Sequence, residues 1–213
     1  DSSMSTSTSM LVLVLIDESA SLKGTDPDDV RVDAALSALD SLVVLATSGG
    51  EAAPEVQVAL AAFSNEYREA QGRTPPDEAT APELRGSLER FGDLDQGIDT
   101  DFVNALSAAQ TALADQVAAT STDGRSQPCR AVLMFTDGGY DIAVRETAED
   151  QERLGLTKPY APDIELTTTE QVEAAEAAGR AALCDEGGLA DRLRGDEVTL
   201  LTVSYTHLTL PTI

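Results

Sequence analysis

The chain has 213 residues, and 42% of them are hydrophobic, enough for a packed core and too many for a disordered chain. Asp and Glu number 38 against 14 Lys and Arg, a formal net charge of -24; such a surface repels phosphate backbones and anionic membranes, which disfavours nucleic-acid binding. The longest apolar run, 10–16, falls far short of the roughly 20 residues of a membrane span, and the two cysteines, Cys129 and Cys184, fit neither a metal cluster nor a CxxC redox pair.

Ser, Thr and Met dominate residues 1–9, which read as a flexible lead-in. A strand over 11–16 is apolar at every position, as expected of a central strand covered on both faces. Thr25, Asp26, Pro27, Asp28 and Asp29 supply a capping side chain, a first-turn proline and early acids. They predict a helix running to about Ala46, with Val30, Ala34, Leu39, Leu42 and Val43 towards the core. "EVQVALAAF" (55–63) is a second strand, followed by room for a short edge strand near 67–70 and a short helix over 82–91. Residues 101–119 form a helix with Phe102, Ala105, Leu106, Ala109, Leu113 and Val117 at helical spacing. "AVLMFTD" (131–137) repeats the opening pattern, a buried strand that ends in an acid. Residues 138–167 lack periodicity and read as a long surface excursion with at most one helix. Helices follow over 168–184 and 189–194, and "VTLLTV" (198–203) reads as another buried strand.

Strands alternating with helices predict an α/β fold: a three-layer, doubly wound, mostly parallel central sheet with helices on both faces. In such sheets function sits at the carboxyl ends of the strands. At that edge fall Asp17, Ser19 and Ser21 after the first strand, Thr100 within "GIDTDF" at a helix start, and Asp137. Carboxylates and hydroxyls without His or Cys are hard oxygen donors, suited to Mg²⁺, Mn²⁺ or Ca²⁺ and not to zinc.

DxSxS after a buried strand, a threonine opening a later helix, and TDG after another buried strand together resemble the von Willebrand factor A domain, over about residues 10–203. In that family the three segments form a metal-ion-dependent adhesion site. The resemblance implies that Ser19 and Ser21 ligate the metal directly, that Thr100 does so in one conformational state, and that Asp17 and Asp137 hold coordinated waters. Mg²⁺ is the family's usual ion, with Mn²⁺ and Ca²⁺ as alternatives, and a Glu or Asp carboxylate from a protein partner completes its shell. Ala20 stands where the family commonly has Gly, and Asp99 and Asp101 flank Thr100. Asp101 either caps the helix or crowds the site with charge that favours Ca²⁺. The family normally continues through a further helix and a last strand, and the expectation is a fold that stops short of them. The tail "SYTHLTLPTI" (204–213), with the sole histidine His207, reads as a truncated or foreign end that leaves one sheet edge incomplete.

Enzyme readings lack their parts. A DxDx(T/V) phosphatase needs an acid where Ser19 stands, and there is neither a GxSxG elbow with a placed histidine nor a GxxxxGK[ST] loop. The expectation is a protein-binding domain and not an enzyme. It is either an exported or surface-displayed adhesion-like domain or a cytosolic partner of an AAA+ ATPase in a chaperone or metal-insertion system. In the family fold the strands at 131–137 and 198–203 are neighbours, which would bring Cys129 and Cys184 within disulfide reach and point outside the cytosol. Two core thiols are the alternative. The excursion at 139–169 leaves the same edge as Asp137. It is a candidate for partner specificity through Tyr140, Arg145, Lys158 and Tyr160, with a solvated insertion as the alternative.

Overall fold

The computed structural model describes residues 9–48, 50, 53–95, 97–120 and 127–204. The lead-in before Ser9 and the tail after Ser204 lie outside these. Five strands form one sheet: β1 (Ser9–Asp17), β2 (Glu55–Phe63), β3 (Tyr67–Thr74), β4 (Cys129–Thr136) and β5 (Val198–Ser204), in the order β3-β2-β1-β4-β5. β1 pairs in parallel with β2 and β4, and β4 in parallel with β5; β3 runs antiparallel to β2. The helices are α1 (Leu22–Thr25), α2 (Val30–Thr47), α3 (Ala81–Glu89), α4 (Phe102–Thr120), α5 (Ala148–Leu154), α6 (Thr169–Cys184) and α7 (Leu189–Gly195). This is a mostly parallel α/β sheet wrapped by helices, of the Rossmann-like kind that the alternating sequence predicts.

The unbroken apolar run in β1 has a simple cause: its alternate side chains feed two separate cores. Leu11, Leu13 and Leu15 pack with Ala105, Leu106, Ala109 and Leu113 of α4 and with Leu189 and Leu193 of α7. Val12, Val14 and Ile16 pack on the other face with Val32, Ala35 and Leu39 of α2 and with Leu84 and Leu88 of α3. A third, smaller core lies within the excursion after β4, where Ile142, Ala161 and Leu166 meet Val172 and Ala175 of α6. The excursion is therefore packed structure, with one helix in it, and not a solvated loop.

Three expectations are corrected. The second helix starts at Val30 instead of Pro27, because the Asp26 carboxylate caps the Val30 and Arg31 N–H groups at 2.8 and 3.1 Å. Its inward face carries Arg31, Val32, Ala35 and Leu39, while Val30 is exposed. β5 is not a buried strand: Leu200 and Leu201 are 38% and 53% exposed, because β5 is the outer strand of the described sheet. Cys129 and Cys184 are both exposed free thiols, so the expected disulfide is not formed. β4 and β5 are neighbours as expected, but Cys184 ends α6, and α7 intervenes before β5 begins at Val198. No helix among the described residues is long and apolar enough to cross a membrane.

The two-core arrangement makes β1 side chains unequal to those of β5. Leu15→Ala, at a fully buried position, is expected to lower the unfolding free energy by about 3 kcal/mol. Leu201→Ala should cost less than about 1 kcal/mol, since its side chain is half in water already. Urea denaturation of both variants measures the difference.

Candidate metal centre

The chain leaves β1 for β2 and β3 on one side of the sheet and later places β4 and β5 on the other. Diverging connections of this kind open a crevice at the carboxyl ends of the two central strands. Asp17 ends β1, and Asp137 follows Thr136 at the end of β4, so both acids stand at this crevice.

Asp17 has no exposed surface. Its Oδ1 accepts the Ser19 N–H at 2.8 Å, and its Oδ2 accepts the Thr136 hydroxyl at 2.6 Å. The first bond folds the loop back after β1; the second ties that loop to the end of β4. Ser19 Oγ then lies 3.0 Å from Ser21 Oγ, and Ser21 donates to Asp137 Oδ2 at 2.8 Å. Thr25 donates to the same Asp137 oxygen at 2.8 Å. Ser19, Ser21 and Asp137 are thus joined through their side-chain oxygens, and Asp17 is tied to them through the Ser19 N–H. Gly138 follows with φ +92, a conformation that suits glycine, and its N–H donates to the Thr136 hydroxyl at 3.1 Å.

Thr100 sits on an adjoining loop. Gly97 pairs its backbone with the loop after β1, through Ala20 N–H to Gly97 O at 2.7 Å and Gly97 N–H to Glu18 O at 3.0 Å. A side chain at Gly97 would overlap Ser64, so glycine permits this approach. Thr100 itself is buried, and its N–H donates to Asp141 O at 2.9 Å. Among the described residues its hydroxyl makes no hydrogen bond to the other four side chains. Asp101 does cap α4, accepting the Asn104 N–H at 3.0 Å.

The residues proposed for partner contact lie elsewhere than expected. Arg145 is fully buried and Lys158 is 4% exposed. Both pair with Asp99, and Lys158 also reaches Asp101. Tyr140 and Tyr160, half-buried, share a hydroxyl–hydroxyl contact of 2.7 Å. Arg145 and Lys158 face inward because the two buried carboxylates require counter-charges.

Sequence reasoning missed four residues of the site. Thr136 bonds Asp17, Thr25 bonds Asp137, and Gly97 allows the loops to meet. Arg31 is fully buried, donates to Asp17 O at 3.2 Å and pairs with Asp26, Asp29 and Asp95. An arginine on the apolar face of "VRVDAAL" was the available signal for the last.

Electrostatics mark Asp17. Burial raises its pKa, the Thr136 and Ser19 hydrogen bonds lower it, the Asp137 charge raises it, and the balance is about 6. Burial likewise raises Asp101, with Lys158 opposing. Among the described residues no three His, Cys, Asp or Glu side chains converge as a metal cluster. The converging donors are hydroxyls with two carboxylates, hard oxygens throughout.

A family model described as von Willebrand factor type A domain matches residues 12–139, more than half of the chain. No curated protein matches by sequence. A mutant of the PilB minor pilin of Streptococcus sanguinis has a similar fold, with TM-score 0.58 at 12% identity, covering 95% of this chain and 51% of that one. Proximal thread matrix protein 1 of the mussel byssus, solved with zinc in its MIDAS motif, aligns with TM-score 0.53 at 13% identity over 92% of this chain and 38% of that one. The pilus adhesin SpaC of Lactobacillus rhamnosus GG aligns with TM-score 0.50 at 14% identity over 92% and 24%. The chain therefore spans about half or less of the length of each, and at these identities the likeness is one of fold.

Asp17 gives the metal-free protein a pH signature. Its folded-state pKa of about 6 lies above the ordinary 3.8, so between those values the folded state binds more protons than the unfolded chain. The stability it contributes is present at about pH 4 and lost as pH rises through about 6. Thermal melts in EDTA should show a smaller loss of Tm over that window for Asp17→Asn than for the unsubstituted protein.

Proposed function

The chain belongs to the von Willebrand factor type A domain family, and on that premise we propose that it is a metal-dependent protein-binding domain, adhesion-like and not catalytic. Ser19, Ser21 and Thr100 would hold a divalent cation, with Asp17 and Asp137 accepting from its bound waters. When bound, the cation would supply an electrophilic position for one carboxylate oxygen of a protein partner. The observation that carries this reading is the convergence of Ser19, Ser21 and Asp137, from segments 116 residues apart, into contacts of 3.0 and 2.8 Å.

The residues present fit such an ion. Their oxygens are hard donors, which favours Mg²⁺, with Mn²⁺ and Ca²⁺ as alternatives. The mussel protein holds zinc at its own motif, which supports a divalent cation without selecting which. Asp17 and Asp137 repel each other in the absence of a cation, and a positive charge between them relieves that repulsion. Neutral hydroxyls leave much of the ion's charge available to an incoming carboxylate. Thr136 and Arg31 bind the Asp17 side chain and backbone, so the first of the three segments arrives pre-organised.

Display at a cell surface or outside the cell is part of the proposal. With both thiols free, it draws support from the pilin and the pilus adhesin that share the fold.

Isothermal titration of Mg²⁺, Mn²⁺ and Ca²⁺ should show at least one ion binding the unsubstituted protein. Asp17→Ala and Ser21→Ala are each expected to weaken it about tenfold or more. Equal binding by all three proteins would mean that the ion is drawn by surface charge alone. Capture of an immobilised carboxylate-bearing peptide should require the cation and be lost in EDTA; capture that survives EDTA contradicts the proposed role.

A further inference from the structure

Thr100 has an acid on each side in the chain, and both are tied to cations from the excursion after β4. Arg145 Nη2 lies 2.8 Å from Asp99 Oδ2, and Lys158 Nζ lies 2.5 Å from the same oxygen. Lys158 Nζ is also 3.2 Å from Asp101 Oδ2. The second oxygen of Asp99 accepts the Ala143 N–H at 2.9 Å, and that of Asp101 accepts the Asn104 N–H at 3.0 Å. All four carboxylate oxygens flanking Thr100 are thus committed within the protein.

Charge counting gives the consequence. Asp99 and Asp101 are balanced by Arg145 and Lys158, which leaves Asp17 and Asp137 as the two uncompensated acids facing a divalent ion. Without Lys158, Asp99 keeps Arg145, but Asp101 Oδ2 keeps only the Tyr160 hydroxyl at 3.4 Å. A buried carboxylate that loses its counter-charge is costly, and it either takes up a proton or turns to another cation within reach. Here that cation would be the ion beside Thr100.

We infer that Lys158 is a specificity-determining residue: it holds Asp101 off the ion and so keeps the site selective for Mg²⁺ over Ca²⁺. The physical basis is coordination number. Ca²⁺ takes six to eight oxygens in a flexible shell and accepts an added carboxylate readily. Mg²⁺ demands a tight octahedron and gains little from a further ligand arriving at imperfect geometry. The inference rests on the metal-binding reading above, and the excursion becomes an internal element of the site.

The test is the ratio of Ca²⁺ to Mg²⁺ dissociation constants, by titration calorimetry, with Asp17→Ala as the control for site binding. Lys158→Met should shift the ratio towards Ca²⁺ by about tenfold. Lys158→Arg should restore the original ratio, and so should Lys158→Met combined with Asp101→Asn, which removes the freed carboxylate. A merely structural lysine would weaken both ions together and leave the ratio unmoved. If Lys158→Met does not fold, as judged by circular dichroism in EDTA, Lys158→Gln carries the same comparison with an expected shift of roughly threefold. Binding that depends on Asp17 with an unchanged ratio overturns the role of Lys158 and leaves the metal site standing. Binding indifferent to Asp17 in the unsubstituted protein overturns both.

Discussion

Asp17 is enclosed at the carboxyl end of the central strand, and its two oxygens are divided between two segments of chain. One holds the Ser19 N–H and the other the Thr136 hydroxyl. The first bond turns Ser19 and Ser21 back over the strand end. The second, across 119 residues of sequence, fixes that turn against the segment that carries Asp137. Remove this carboxylate and the bond that ties the two segments directly is lost, leaving the Ser21 and Thr25 contacts to Asp137 to hold them together. The cost is visible in its pKa, raised to about 6 by burial and by the neighbouring Asp137. A cation at the proposed site would relieve that repulsion.

Two buried basic clusters support this arrangement from either side. Arg31, with no exposed surface, draws Asp26, Asp29 and Asp95 together and also binds the backbone of Asp17 and of Phe91. Arg145 and Lys158 do the same for Asp99 and Asp101, beneath the loop that bears Thr100. Buried ion pairs of this kind add little net stability against an apolar alternative, but loss of one partner is severe, commonly about 3–5 kcal/mol. They fix geometry more than they stabilise. The net charge of -24 comes from the excess of 38 acids over 14 Lys and Arg and not from these clusters, in which three bases meet five acids.

Periodicity made most of the fold legible. β2 runs over Glu55–Phe63 as its apolar pattern requires, and the helix bearing Phe102 and Leu113 begins within one residue of its expected start. Apolar runs could not reveal whether a strand is central, so "VTLLTV" read as buried although β5 is the outer strand of the described sheet, with Leu201 exposed. Of the candidate site, Asp17, Ser19, Ser21 and Asp137 were readable because strand ends converge by topology. Thr136, Thr25 and Arg31 were not, since their roles depend on which side chains meet across the sheet. The excursion misled for a related reason. Its small core draws on Val172 and Ala175 of α6, a long-range pairing that no local pattern announces. Tyr140, Arg145, Lys158 and Tyr160 turn inward to satisfy buried acids and one another.

The central claim is that oxygens from three separated segments grip one divalent ion. Crystals grown or soaked in manganese and measured for anomalous scattering test it most directly. A single strong peak bounded by Ser19, Ser21, Thr100 and Asp137 is the predicted result. An empty crevice in crystals that bind manganese elsewhere on the acidic surface would contradict it.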